Sequence, residues 1–382
     1  MSVAGKSYIS SEDTVKVVAF AVSKGLSENR LFDLNAVRDG ALERFHLLKL
    51  ELIKRGVQCL TLDMINHDKV DILVCSDILS QTRDVIFAVR SNPQVKIIYI
   101  PTEPPVISCL HILSVLKMLP FDRILTWNDD FVNYDERAIK CNIGQPVINV
   151  RTIPSVPFET KKFLVAITSS KLVKHKNGLH KERYIAFEFF SKKQLTFDLF
   201  GTGWDKINLN YIKKTYRGLC DVKKDTLKDY KFSICFENAT GYPGLITEKI
   251  FDCFAAGTIP IYYGPPNASE YIPDGCYINF CDYESYDKLY DYLSQLSHSE
   301  YQIYLDAAKN FLKSSKYHEF TSVKFSEIVI GQVMELLQEQ RIDRSAYFYK
   351  WAFLKIIVAH PLVFLRNIVR CRHYLRDLFI LN

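Results

Sequence analysis

The chain has 382 residues, 48% of them hydrophobic and 24% charged, with 15 glycines and 14 prolines spread along its length. That exceeds what one core usually serves, so two comparable domains are expected, and the lack of any repeat of roughly 20 to 50 residues or of a low-complexity tract excludes a solenoid, a propeller and a mostly disordered chain. The net charge of +6 sits in one segment: from Arg341 onward eight basic residues face two acidic ones while the rest balances 41 against 41, so no nucleic-acid partner is expected.

The first element in chain order is an N-terminus, 1–15, expected to be flexible. The opening stretch 1–16, MSVAGKSYISSEDTVK, has neither a signal-peptide pattern nor an apolar anchor. The ten cysteines lie mostly far apart, several in apolar runs (Cys59, Cys75, Cys235, Cys253), with no CxxC or Cys/His ligand spacing. They read as reduced, buried thiols, and the expected compartment is the cytosol.

From 16 to 153, short β-rich runs alternate with helical patterns: KVVAFAV, an amphipathic stretch from Ala41 to Arg55, VQCLTLD, VDILVCS, VKIIYI and FDRILTW. Apolar strands of this length separated by helices predict a parallel sheet covered on both faces, a Rossmann-like domain. PVINVRTIPSVPFET reads as a linker. The pattern restarts at Phe163 with FLVAITSS, a helix over Lys181–Lys192, TFDLFG, KFSICFE, a helix from about Ile246 to Ala256 stopped by Gly257, TIPIYYG and CYINF. Helices at Tyr283–Leu296 and Glu300–Lys313 close this second Rossmann-like domain, assigned to 154–340, and Phe325–Gln340 is expected to reach back toward the first. Two such halves face each other across a cleft, the usual seat of a ligand.

The tail, 341–382, differs. Tyr347, Phe348, Trp351, Leu354, Ile357 and Val358 form a stripe at helical spacing with Lys350 and Lys355 interleaved. Lys355, His360 and Arg366 interrupt it too often for a spanning helix of ~20 apolar residues. An amphipathic helix lying on an anionic membrane surface is expected, which places the protein in the cytoplasm, peripheral to the inner face of the membrane.

The chemistry concentrates in Lys231–Pro273, which parses as strand, glycine-containing loop (ENATGYPG), helix and strand. A helix start after such a loop offers free N–H groups and a positive dipole end, and the Lys249 ammonium adds a full charge, which suits a diphosphate. Glu248 and Lys249 should point about 100° apart around the helix, leaving Glu248 free for sugar hydroxyls. Arg183 follows FLVAITSS within a basic run, and its guanidinium fork suits a diphosphate bidentately.

This segment resembles the signature of the α-1,3/4-fucosyltransferase family, a Phe-Glu-Asn, a short loop, Thr-Glu-Lys and a Pro-containing strand ending in Tyr-Gly. Here these are Phe236, Glu237, Asn238, Thr247, Glu248, Lys249, Pro260, Tyr263 and Gly264. The resemblance implies a GT-B-like fold and transfer of L-fucose from GDP-β-L-fucose to a glycan acceptor with inversion, the first domain holding the acceptor and the second the donor. It implies that Lys249 binds the diphosphate, that Glu248 takes ribose or fucose hydroxyls, that Asn238, Thr247 and Tyr242 contact the donor, and that Arg183 clamps phosphate. Leu245 stands where relatives often carry Tyr, which keeps another nucleotide sugar as an alternative.

Inversion needs a carboxylate across the cleft. Glu103 in IPTEPPV, directly beyond a strand and stiffened by Pro101, Pro104 and Pro105, is the candidate base, with Asp129 and Asp130 as rivals. No Asp-x-Asp metal motif stands at a strand end, so no cofactor is required and a divalent ion (Mn or Mg) is at most stimulatory. The expected acceptor is GlcNAc or Glc of a surface polysaccharide or lipopolysaccharide. A non-catalytic, membrane-peripheral glycan- or nucleotide-binding protein is the alternative from another class.

Overall fold

The computed structural model describes residues 15–340 except 77, 109 and 110, and the side chains of that span except 78–80, 82 and 83. The expectations for the flexible N-terminus and for the 341–382 tail fall outside the described residues, save Val15.

The first sheet consists of β1 (Lys16–Phe20), β2 (Val57–Thr61), β3 (Ile72–Cys75), β4 (Lys96–Tyr99), β5 (Arg123–Thr126) and β6 (Ala138–Lys140), in the order β2-β1-β3-β4-β5-β6. Every pairing is parallel. All residues of β3 and β4 are buried, as a strand covered on both faces requires. One face carries Val85, Ile86 and Val89 of helix Ile78–Ser91. The other carries Leu48 and Leu52 of helix Glu43–Lys54.

The second sheet, β7 (Lys162–Ile167), β8 (Phe197–Phe200), β9 (Tyr230–Phe236), β10 (Ile259–Tyr263) and β11 (Ile278–Asn279), is parallel in the order β11-β10-β9-β7-β8. Helix Glu248–Ala256 turns Ile250 and Phe254 into its core, and Gly257 ends it at φ 66°, where the left-handed backbone suits glycine. The helix starts two residues later than its apolar period suggests, since Leu245 and Ile246 are buried in the loop. The α/β class with two Rossmann-like halves therefore holds.

The last helix, Ser322–Gln338, returns to the first domain. Its Phe325, Val329, Val333 and Leu336 are buried beside Leu48 and Leu52, so this segment belongs to the first core although the sequence assigns it to 154–340. Lys96, in the middle strand β4, crosses to the helix end and donates to the carbonyls of Leu336 and Glu339, the latter at 2.9 Å. A cation there complements the helix dipole. The chain thus crosses twice between the halves, fixing the walls of the cleft.

Candidate active site in the interdomain cleft

β9 delivers Glu237 and Asn238 to the carboxyl edge of the second sheet. Glu237 is fully buried, and every group around its carboxylate is a donor. Oε1 accepts from the Thr247 N–H at 2.9 Å and the Tyr262 hydroxyl at 3.2 Å; Oε2 accepts from the Thr247 hydroxyl at 2.8 Å and the Lys249 ammonium at 3.1 Å. The Thr247 hydroxyl, 2.8 Å from Lys249 Nζ, makes no capping bond to the helix it precedes, being turned toward Glu237 instead. Thr247 therefore positions Lys249.

Lys249 sits between two carboxylates, Glu237 and Glu248, the second at 3.5 Å. Burial opposes its charge, but the two carboxylates outweigh burial and hold its pKa above the ordinary lysine value. The expected divergence of Glu248 and Lys249 does not occur, because both side chains are long enough to bend toward each other from adjacent positions. Glu248 also lies 3.9 Å from Lys223 and keeps 42% of its side-chain exposure toward the cleft. Enclosure alone would raise its pKa; Lys249 and Lys223 pull it down to about 2.

Arg183 is 5% exposed. Its guanidinium donates to the Thr168 hydroxyl at 3.2 Å, the Phe236 carbonyl at 2.6 Å and Asn238 Oδ1 at 3.1 Å. Burial lowers its pKa, with Glu237 the leading opposing influence. Asn238, its carbonyl oxygen held by Arg183, faces Glu103 of the first domain, where its side chain is a minor influence holding that carboxyl's pKa down. With that oxygen taken, the amide nitrogen is the donor Asn238 has left for the cleft.

Glu103 follows β4 on a loop whose flanking prolines are buried. A second anchor comes from His111: its Nδ1 lies 2.7 Å from the Glu103 carbonyl oxygen and its Nε2 meets the Tyr99 hydroxyl. A carbonyl only accepts, so Nδ1 carries the proton and Nε2 accepts from Tyr99. Glu103 is exposed to the solvent of the cleft yet walled on its other sides. That enclosure raises its pKa, against the pull of Lys249 and Lys171.

Two adjoining cavities make up the cleft. One, about 310 Å³, is lined by Thr168, His180, Arg183 and Lys249. The other, about 600 Å³, lies between the domains and is lined by Glu103, Thr247 and Arg44 among others. Asn238, Glu248 and Lys249 line both. The structure thus brings together Glu103, Arg183, Asn238, Thr247, Glu248 and Lys249. Tyr242, expected among the donor contacts, lines neither cavity and packs against Val106, Trp127, Ala239 and Leu245. Asp129 is bound to Lys140 at 2.6 Å, to the Tyr271 hydroxyl at 2.6 Å and to Asn267 at 3.0 Å, in a different cavity that also holds Asp130, which removes both as rivals for the base.

Residues 158–349, half of the chain, match the family described as glycosyltransferase family 10 (fucosyltransferase) C-term. The chain belongs to glycosyltransferase family 10. Arg183, Asn238, Thr247, Glu248 and Lys249 fall within the matched residues and Glu103 outside them. An alpha-(1,3)-fucosyltransferase of Helicobacter pylori is 40% identical over 84 residues, which is 22% of this chain and 17% of the relative. A human 4-galactosyl-N-acetylglucosaminide 3-alpha-L-fucosyltransferase is 34% identical over 90 residues, 22% of this chain and 25% of the relative. The similarity to these curated relatives thus spans a quarter of their length or less. Among solved structures, an alpha1,3-fucosyltransferase superposes with a TM-score of 0.52 at 16% identity, covering 87% of this chain and 92% of that one. The Anabaena HepE protein in complex with UDP-glucose superposes with a TM-score of 0.55 at 12% identity, covering 84% and 99%. These likenesses establish the GT-B-like fold of this family 10 member.

Three contributors to the site carry no reading in the sequence analysis. Glu237 stands in the signature, but its work as the anchor of Thr247 and Lys249 depends on tertiary pairing. His111 lies eight positions after Glu103 with no motif around it. His180 opens the helix that carries Arg183 and is 1% exposed in the smaller cavity, its Nδ1 without a partner; burial, then Arg183, Lys171 and Lys249, lower its pKa to about 4.

Proposed function

We propose that this family 10 protein transfers L-fucose from GDP-β-L-fucose to a hydroxyl of a glycan acceptor with inversion at the anomeric carbon, with Glu103 as the base. One observation carries this reading: a carboxylate from the first domain and two cations from the second, Lys249 and Arg183, line two adjoining cavities of one cleft that share Lys249 and Asn238. Family membership supports the transferase class and the sugar.

In this reading Glu103 accepts the proton of the acceptor hydroxyl as its oxygen bonds to the anomeric carbon. The bond from that carbon to the β-phosphate oxygen breaks on the opposite face, and the electron pair leaves with GDP. Lys249, Arg183 and the start of helix Glu248–Ala256 meet the developing charge, so the proposal requires no metal. The raised pKa of Glu103 suits a base that must take a proton near neutrality, a role worth ~100- to 10,000-fold in rate. The expected acceptor, GlcNAc or Glc of a surface polysaccharide, and a station at the inner face of the membrane through 341–382 belong to the same proposal.

A panel of nucleotide sugars read by nucleotide release, with and without a glycan acceptor, tests it. Release of GDP from GDP-fucose supports the reading, and release only from UDP- or CMP-sugars overturns the choice of donor.

A further inference from the structure

On the first-domain wall of the cleft, helix Glu43–Lys54 begins with a cation, Arg44, that has no carboxylate in contact among the described residues and the more distant Glu248 as the carboxylate that favours its charge. Arg44 makes one hydrogen bond from its fork, Nη1 to the Gly144 carbonyl oxygen at 3.0 Å; its Nε is buried without a partner, and among the described residues it forms no ion pair. Its neighbour Glu43 lies on another face of the helix, where its charge acts on Tyr317. Glu248, the carboxylate across the cavity, is already within 4 Å of both Lys249 and Lys223.

The guanidinium is nevertheless firmly held. It lies 5.0 Å from the ring centroid of Phe45 and 5.8 Å from that of Phe325. Phe325 comes from the last helix and seats against Gly144, where an added Cβ would come within 2.6 Å of Phe325 Cβ. Three chain segments therefore preorganise one arginine at the edge of a cavity of about 600 Å³ that Glu103 also lines. Burial lowers the pKa of Arg44 to about 10, the mark of a charge without sufficient compensation. A guanidinium offers five N–H donors in a fixed fork matched to carboxylate and phosphate, and an enclosed charge left unpaired is costly.

We propose that this wall receives an anionic substituent of the acceptor, a carboxylate or a phosphate carried by the glycan, on the Arg44 guanidinium. The inference rests on the glycosyl-transfer reading only in calling the ligand an acceptor; the anion site stands on the surroundings of Arg44. It places the preceding reactions among those that build acidic sugars or attach phosphate to a glycan. It also gives the returning helix a part in substrate choice, because Phe325 holds the arginine.

Calorimetric titration of the full chain, with and without GDP, against methyl β-D-glucoside, methyl β-D-glucuronide and methyl β-D-glucoside 6-phosphate tests the proposal and separates carboxylate from phosphate. At least one acidic probe is expected to bind about tenfold or more tightly than the neutral glucoside, in line with a charge-assisted hydrogen bond in an enclosed site. The preference is expected to vanish in Arg44→Gln and to return in part in Arg44→Lys. Equal binding of the three probes, binding of none, or an acid preference that survives Arg44→Gln overturns it. Should Arg44→Gln not fold, mass mapping of phenylglyoxal adducts on the unmodified protein decides: the preferred acidic probe protects Arg44 if the proposal holds, and lack of protection refutes it. Failure of GDP to bind while the acidic preference is present would remove the donor reading and leave the anion site standing.

Discussion

Replacing Glu237 by Gln changes one oxygen for an amide nitrogen at a position with no exposure to solvent. The surroundings make the outcome calculable. Thr247 donates to both carboxylate oxygens, Tyr262 to one and Lys249 to the other, so no orientation of a Gln amide avoids pointing its N–H groups at a donor. The Lys249 ammonium simultaneously loses its nearer carboxylate, at 3.1 Å, and keeps only Glu248 at 3.5 Å. Breaking a buried pair in this way costs about 3–5 kcal/mol. At 2–4 °C per kcal/mol for a domain of this size, the melting temperature should fall by roughly 6–20 °C. Scanning fluorimetry of the purified variant measures this directly. Excess GDP is expected to recover part of the loss, because its diphosphate supplies the anion that Lys249 lacks; a hundredfold excess over Kd adds ~2.7 kcal/mol. A drop of less than about 2 °C, the size of an ordinary surface change, would refute the view that Glu237 anchors the helix start and its lysine.

Three further outcomes are expected. Glu103→Gln should leave the Kd for GDP unchanged and reduce turnover ~100- to 10,000-fold; turnover equal to wild type removes Glu103 from the chemistry. His180 is held neutral, with its pKa lowered from 6.5 to about 4, so the unfolded chain binds more protons between those values and stability is lost as pH falls from 6.5 toward 4. In His180→Asn the slope of unfolding free energy against pH in that window, measured by denaturant unfolding, should be shallower by up to one proton, about 1.4 kcal/mol per pH unit, and an unchanged slope would contradict it. Deleting 341–382 should release the protein from anionic vesicles in a sedimentation assay; a truncated chain that still co-sediments rules out the tail as the anchor.

The sequence is informative where local pattern decides structure. Period-two and continuous apolar runs locate the main strands of both sheets, and Gly257 marks the helix end because only a left-handed residue fits there. β6 escapes notice because its three residues, Ala138–Lys140, carry too little pattern. The site is legible in part for the same reason. Glu103, Arg183, Asn238, Thr247, Glu248 and Lys249 stand at strand ends or helix starts, and the fold carries all of them to one cleft. What escapes is whatever depends on pairing through space. Adjacent Glu248 and Lys249 diverge by helix geometry but meet through side-chain length, Tyr242 is drawn into a cluster with Trp127, and His111 acts on a backbone carbonyl. The return of Ser322–Gln338 to the first core agrees with the expectation for Phe325–Gln340, whereas its partner, helix Glu43–Lys54, cannot be read from order along the chain.

The central claim is that a nucleoside diphosphate seats its pyrophosphate between Lys249 and Arg183, and calorimetric titration with GDP, GMP, UDP and CMP tests it most directly. The account predicts saturable GDP binding, with GMP weaker by about tenfold or more for want of the second phosphate and UDP and CMP weaker than GDP. Equal affinities for GMP and GDP, or no binding of any of the four, would contradict it.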